Sequence, residues 1–97
     1  MQAQNLIYRV HALQRMFQRK ITKEEVLYVM EKGEVIEDYP DDSPYPSQLF
    51  FGKIGSRPLH VVAAKIFLEK ETIIVTVYEP DVEKWDKDFK QRKGVIK

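Results

Sequence analysis

At Gly33 the spacing of apolar residues changes, and that change limits the folds open to this chain. Before Gly33 the period is helical. From Ile7 to Lys20 the apolar residues Val10, Leu13, Met16 and Phe17 recur at steps of three and four, predicting an amphipathic helix with a Val10/Leu13/Phe17 face turned inward. Thr22-Lys23-Glu24-Glu25 has the form of a capping box. A second helix is therefore predicted from there to about Lys32, with Val26, Val29 and Met30 inward and Gly33 as its stop. So short a gap between the two predicts a helical hairpin.

After Gly33 the residues read as strands. Val35, Ile36 and Tyr39 fall in a short first strand, Ser47–Lys53 in a second, Leu59–Phe67 in a third and Thr72–Tyr78 in a fourth, the most β-branched run in the chain. Tyr39–Pro46, with three prolines and two aspartates, reads as a loop; Gly55-Ser56 and Glu69-Lys70-Glu71 read as turns. The last three strands thus predict an antiparallel meander. The expected fold class is α+β: two N-terminal helices followed by a four-stranded antiparallel sheet. A short C-terminal helical turn over Asp81–Phe89, pinned by Trp85 and Phe89, is expected to follow. All 97 residues form one domain on this reading, with an ordered core over about residues 6–90 and a loose tail at Gln91–Lys97.

Composition narrows the function classes. With no cysteine, the chain has neither a disulfide framework nor a thiolate zinc site. It shows no secretion signal and no apolar run of membrane-spanning length, so a cytoplasmic protein without membrane contact is expected. The net charge of +1 argues against wrapping duplex DNA, but the charge is uneven. Residues 1–33 hold six bases and three acids, whereas residues 34–46 hold five acids and no base.

Two groups of residues can carry chemistry. His11, Arg15 and Arg19 stand at i, i+4 and i+8, one line down a helix flank, and guanidiniums in a row suit phosphate oxygens. The plainer alternative is a solvated helix face. His60 alternates with Leu59 and Val61 in the third strand, while Thr76 and Tyr78 share one face of the fourth. If those strands pair, His60 meets Thr76 and Tyr78. A buried histidine of this kind is more commonly a hydrogen-bonded structural residue. The chain's two histidines lack metal-site spacing, and the aspartates of the proline-rich loop lack that of a calcium loop, so no cofactor is expected. The C-terminal lysines alternate with acids and read as a solvated face, with Arg92 the basic residue standing apart.

In order and spacing, Tyr8-Arg9-Val10-His11-Ala12-Leu13-Gln14-Arg15-Met16, Arg19, Tyr39-Pro40-Asp41-Asp42 and Pro44-Tyr45-Pro46-Ser47 resemble the DUF4258 proteins. Gly52, Arg57-Pro58-Leu59-His60-Val61-Val62, Thr76-Val77-Tyr78-Glu79-Pro80-Asp81, Trp85 and Arg92 continue the pattern. That family is similar to small RelE-like and barnase-like ribonuclease toxins. The resemblance implies metal-independent cleavage of RNA and a cognate antitoxin partner. It places His11, Arg15 and His60 at the family's polar positions, and Tyr78 and Arg92 at less distinctive ones.

Two functions follow as expectations. In a ribonuclease, His11 or His60 serves as base and acid, histidine having an ordinary pKa near 6.5. Arg15, with Arg19 or Arg92, stabilises the phosphorane charge, and Tyr78 orients the phosphate or stacks on a base. In a non-catalytic module binding protein or nucleic acid, the same polar cluster is structural. The acidic loop with Tyr39, Tyr45 and Phe50 then makes the contact. What separates the two is whether His11, Arg15 and His60 converge in an open concavity.

Overall fold

The computed structural model describes residues 5–94. The elements run β1 (Asn5–Tyr8), α1 (Val10–Arg19), α2 (Lys23–Lys32), β2 (Glu34–Tyr39), β3 (Ser47–Ile54), β4 (Arg57–Ile66), a 3-10 turn (Phe67–Glu69) and β5 (Glu71–Tyr78). They form a five-stranded mixed sheet of order β1-β5-β4-β3-β2, with both helices against one face.

This corrects the expectation of two leading helices and four antiparallel strands. A strand precedes the helices and lies parallel to β5, pairing Asn5 with Glu71 through Tyr8 with Ile74. Four residues are too few to show a period of two, and their Ile7 and Tyr8 blend into the helical pattern that follows. What makes them a strand is the β-branched edge of β5, which offers a ladder to any short extended segment beside it. Leu6 and Tyr8 then turn toward the core, while Asn5 and Ile7 face water.

The meander β3-β4-β5 and the antiparallel pairing of β2 with β3 follow the predicted order. Two irregularities shift the faces. In β5, Thr76 pairs with Val62 but Ile74 pairs with Ala63, leaving Val75 as an extra residue. Ile74 and Val77 therefore both reach the helix side, although an odd step of three residues separates them and unbroken alternation would put them on opposite faces. In β2 the register slips between Val35 and Glu37.

Both helices pack through small or branched side chains. Ala12, Met16, Val26 and Val29, with Ile21 from the connection, meet Phe50, Leu59, Val61, Ala63, Ile74 and Val77. The expected inward face of α1 is corrected here: Val10, Leu13 and Phe17 are exposed, and the helix is rolled by roughly 120° so that Ala12 and Met16 point inward. Its ends fix that roll. The Arg9 amide donates to the Ile74 carbonyl (3.1 Å), which ties the helix start to β5. At the other end Arg57 of β4 donates to the carbonyl oxygens of Arg19 and of Lys20 (3.2 Å), and also holds Glu79 and Glu25. Those carbonyls end the helix without intrahelical partners, so a guanidinium satisfies them well.

α2 starts with the expected capping box: Glu25 N donates to Thr22 Oγ1 (3.1 Å) and Thr22 N to Glu25 Oε1 (3.0 Å). Gly33 ends it for a different reason from a left-handed turn, since its backbone is extended (φ −79°, ψ −178°). A Cβ there would sit 2.4 Å from the Phe51 carbonyl oxygen and 2.5 Å from that of Val29. The helix end presses on β3, and only glycine fits.

The expected C-terminal helical turn over Asp81–Phe89 is reduced to a single turn, in which the Asp81 carbonyl accepts from the amides of Lys84 (2.9 Å) and Trp85 (3.0 Å). Residues 79–94 form a strap of turns across the outer sheet face, with an isolated bridge between Trp85 and Arg92. Lys93 N donates to the Lys84 carbonyl and Asp86 N to that of Gln91, each at 2.8 Å. The Asp86 carbonyl accepts from the Phe89 amide (2.8 Å) and Asp88 Oδ1 from that of Lys90 (3.0 Å), loop contacts in place of a continued helix. Of the expected loose tail, Gln91–Lys93 take part in the strap, and residues 95–97 lie outside the described residues.

Gly33→Ala is expected to lower the unfolding free energy by about 1–3 kcal/mol, measured by urea titration, because backbone must move to admit the methyl group. Arg57→Ala is expected to cost about 1–2 kcal/mol after allowing for solvent screening of the partly exposed carboxylate contacts. Arg57→Lys should recover less than half of that, since one ammonium cannot span two carbonyls and two carboxylates.

Candidate functional site

β1 pairs only with the first half of β5, Glu71–Ile74. Among the described residues, Val75–Tyr78 therefore has no strand beside it on that edge, and α1 passes there instead. The result is an open cleft of about 460 Å³ between the flank of α1, the free half of β5 and the strap. His11, Arg15 and Arg19 line one wall; Thr76 and Tyr78 lie along β5; Glu79, Asp81, Lys84, Trp85 and Arg92 come from the strap.

The His11/Arg15/Arg19 line thus borders a concavity and not open solvent alone. His11 and Arg19 are exposed and Arg15 is half-buried. Among the described residues Arg15, Arg19 and Lys84 form no ion pair, whereas Glu79 is held by Arg57. Asp81 accepts from the Glu83 amide (2.9 Å) as a turn residue. The free charge in the cleft is predominantly positive, and a row of unengaged guanidiniums is suited to successive anionic oxygens.

His60 is placed differently. It pairs with Tyr78 across β4 and β5, as the sequence predicts for adjacent strands, but it is completely buried. The Trp85 ring lies edge-on at 4.5 Å, with Tyr78 and Phe51 around it at 5.2 and 5.9 Å. Its Nε2 is 2.8 Å from the Phe89 carbonyl oxygen, which can only accept, so Nε2 carries the proton. Nδ1 is then the acceptor for the Tyr78 hydroxyl at 3.3 Å. Burial pushes the His60 pKa down, the Phe89 carbonyl and the Glu37 charge opposing part of the shift. His60 is thus sealed from the cleft and is not among the residues that line it. It is a positioning residue: it anchors the strap through Phe89, whose backbone is left-handed (φ 61°), and it orients the Tyr78 hydroxyl at the cleft wall.

Burial also raises the Tyr78 pKa, so its hydroxyl keeps its proton at neutral pH. Arg92, expected to contact substrate, lines the cleft but is also engaged by Glu37. Its Nε and Nη2 grip the two Glu37 carboxylate oxygens at 3.0 and 3.2 Å, and its guanidinium lies 4.6 Å over Trp85. Burial alone would raise the Glu37 pKa, but hydrogen bonds from Arg92 and Tyr39 outweigh it and hold the carboxyl below its ordinary range. Tyr39 donates to Glu37 (2.6 Å), and burial followed by this bond pushes its pKa up to about 12.

Glu37, Tyr39 and Arg57 position the site, yet none stands out by residue type. The only sequence trace is the two-residue step from Glu37 to Tyr39, which puts both on the strap side of β2. The acidic loop's Tyr39 is thus turned into this network, while Tyr45 is exposed and Phe50 is in the core.

The lowered His60 pKa has a definite sign. The unfolded imidazole titrates near 6.5 and the folded one below that, so the unfolded chain binds more protons in between. Stability is then fully present above about pH 6.5 and lost as pH falls toward the folded pKa. Urea unfolding is expected to show a loss of up to about 1.4 kcal/mol per pH unit below pH 6.5. His60→Gln, which keeps a donor for the Phe89 carbonyl without an ionisable ring, should flatten this dependence.

No curated protein and no solved structure matches the chain, so neither comparison supplies a RelE-like or barnase-like relative. Among the described residues, no helix is long and apolar enough to cross a membrane. One family model does match, described as a domain of unknown function, DUF4258, over residues 8–79, from the end of β1 to just past β5. His11, Arg15, Arg19, His60 and Tyr78 all fall inside the matched span, and it takes in most of the chain: the protein belongs to the DUF4258 family.

Proposed function

We propose that the cleft binds an RNA strand by its phosphates and cleaves it, as a ribonuclease toxin kept in check by an antitoxin protein. The observation that carries this reading is the presence of His11, Arg15, Arg19 and Tyr78 on the walls of one open cleft. RNA brings its own nucleophile. His11 takes the proton of a 2′-OH, and the 2′-oxygen attacks the adjacent phosphorus. The bond from phosphorus to the 5′-oxygen breaks, and that oxygen leaves with a proton from solvent water, which the open cleft admits. The products are a 2′,3′-cyclic phosphate and a 5′-OH end. His11 then returns its proton to water, while the Tyr78 hydroxyl, its own proton held toward His60, orients the phosphate. Arg15 and Arg19 face the charge that builds on the phosphoryl oxygens in the transition state. Arg92, bound to Glu37, contributes by holding the strap.

A second reading, a non-catalytic phosphodiester-binding module, is favoured by His60. With both ring nitrogens engaged in the interior, it leaves His11 as the only imidazole on the cleft wall.

Purified protein incubated with an end-labelled RNA oligonucleotide, alone and with ribosomes, is expected to yield cyclic-phosphate ends. A substrate with 2′-deoxyribose at the cut position should resist. His11→Ala and Arg15→Ala should each slow cleavage by about 10²–10³-fold. Induced expression should arrest growth for the wild type and not for His11→Ala. RNA that is bound but left intact by the wild type, with binding weakened in Arg15→Ala, establishes the non-catalytic reading instead.

A further inference from the structure

The stripe that α1 turns away from the core is not used by the fold. Val10, Leu13 and Phe17 stand at i, i+3 and i+7 and are 70%, 40% and 87% exposed. Single exposed apolar residues are ordinary on a surface, but three on one helical line, with a phenylalanine almost wholly in water, form a contact patch. The stripe lies well round the helix from the His11/Arg15/Arg19 flank, and Gln14 and Gln18 separate the two.

Along α1 and its immediate flanks in sequence the charge has one sign. From Asn5 to Thr22 the chain carries Arg9, Arg15, Arg19 and Lys20 and neither Asp nor Glu. The nearest acids in sequence, Glu24 and Glu25, belong to α2: Glu25 holds Arg57 and caps its own helix, and the charge of Glu24 acts on Tyr8, at the end of β1. A partner must therefore supply apolar side chains at helical spacing and negative charge beside them. A second copy joined α1 to α1 across a two-fold axis would set these cations against their own kind. A bilayer would gain little from so few apolar side chains on a ten-residue helix.

From this we infer that α1 is the docking surface for an acidic amphipathic helix of another protein. Apolar residues of that helix pack on Val10, Leu13 and Phe17, and its carboxylates face Arg9 and Lys20 along the border. The surface stands on α1 alone and does not depend on what the neighbouring cleft does to RNA.

The test is a titration of isotopically labelled protein with two synthetic helical peptides of identical leucine spacing. One has Glu and the other Lys at the remaining positions. The Glu peptide is expected to bind and to shift the amides of Val10, Leu13 and Phe17, and the Lys peptide is not. Phe17→Ser should weaken binding at least about tenfold while leaving thermal unfolding unchanged, because the ring is in water. Equal binding of both peptides, binding unaffected by Phe17→Ser, or shifts confined to the cleft would overturn the inference. Co-sedimentation with phosphatidylglycerol vesicles, lost in Phe17→Ser and without peptide binding, would assign the stripe to lipid. Self-association in sedimentation velocity that Phe17→Ser abolishes would assign it to a second copy.

Discussion

How closely α1 can approach β5 governs the rest of this structure. Ala12 makes the approach short, and a larger residue there would lift the helix off the sheet. The Arg9 amide fixes one end of the helix and the Arg57 guanidinium the other. Between those two points the roll of the helix is no longer free. The same roll sends His11, Arg15 and Arg19 toward the cleft and leaves Val10, Leu13 and Phe17 in water. The cleft wall and the exposed stripe are two results of a single packing choice.

The opposite face of the sheet depends on a different kind of contact. There the strap is held by polar groups: His60 to Phe89, Arg92 to Glu37, and Lys90 to Glu34 at 3.3 Å, with Trp85 packed between them. Exposed ion pairs of this sort contribute little each, and the buried imidazole contributes more because its neutral form is fully hydrogen-bonded. Tyr78 joins the two halves. It faces the cleft on one side and His60 on the other, so the geometry of the cleft is tied to the integrity of the strap.

Much of this was legible in the residues, and what was not has physical causes. The capping box at Thr22 and Glu25 depends only on local hydrogen bonds and was visible as a motif. The pairing of His60 with Tyr78 followed from alternation in two long strands. By contrast, β1 is too short to show a period, and its strand character comes from β5, more than 60 residues away in sequence. The inward face of α1 is not legible, because apolar spacing reports that a stripe exists but not what it faces. The extra residue Val75 is equally silent, since a bulge changes register without changing residue type. His60 stands out by residue type, but its sealed position depends on a strap whose course is set by contacts distant in sequence, such as Arg92 with Glu37.

The brevity of β1 has a consequence for how chains of this pattern can vary. A single residue, Arg9, separates the last paired position of β1 from the first turn of α1. Two more paired residues would carry the ladder along β5 to Thr76, and the helix would then begin beyond the stretch of edge it now overlooks. Strand length and aperture are thus one variable. Insertions or deletions between Tyr8 and Val10 would open or shut the groove with every residue on its walls left unchanged.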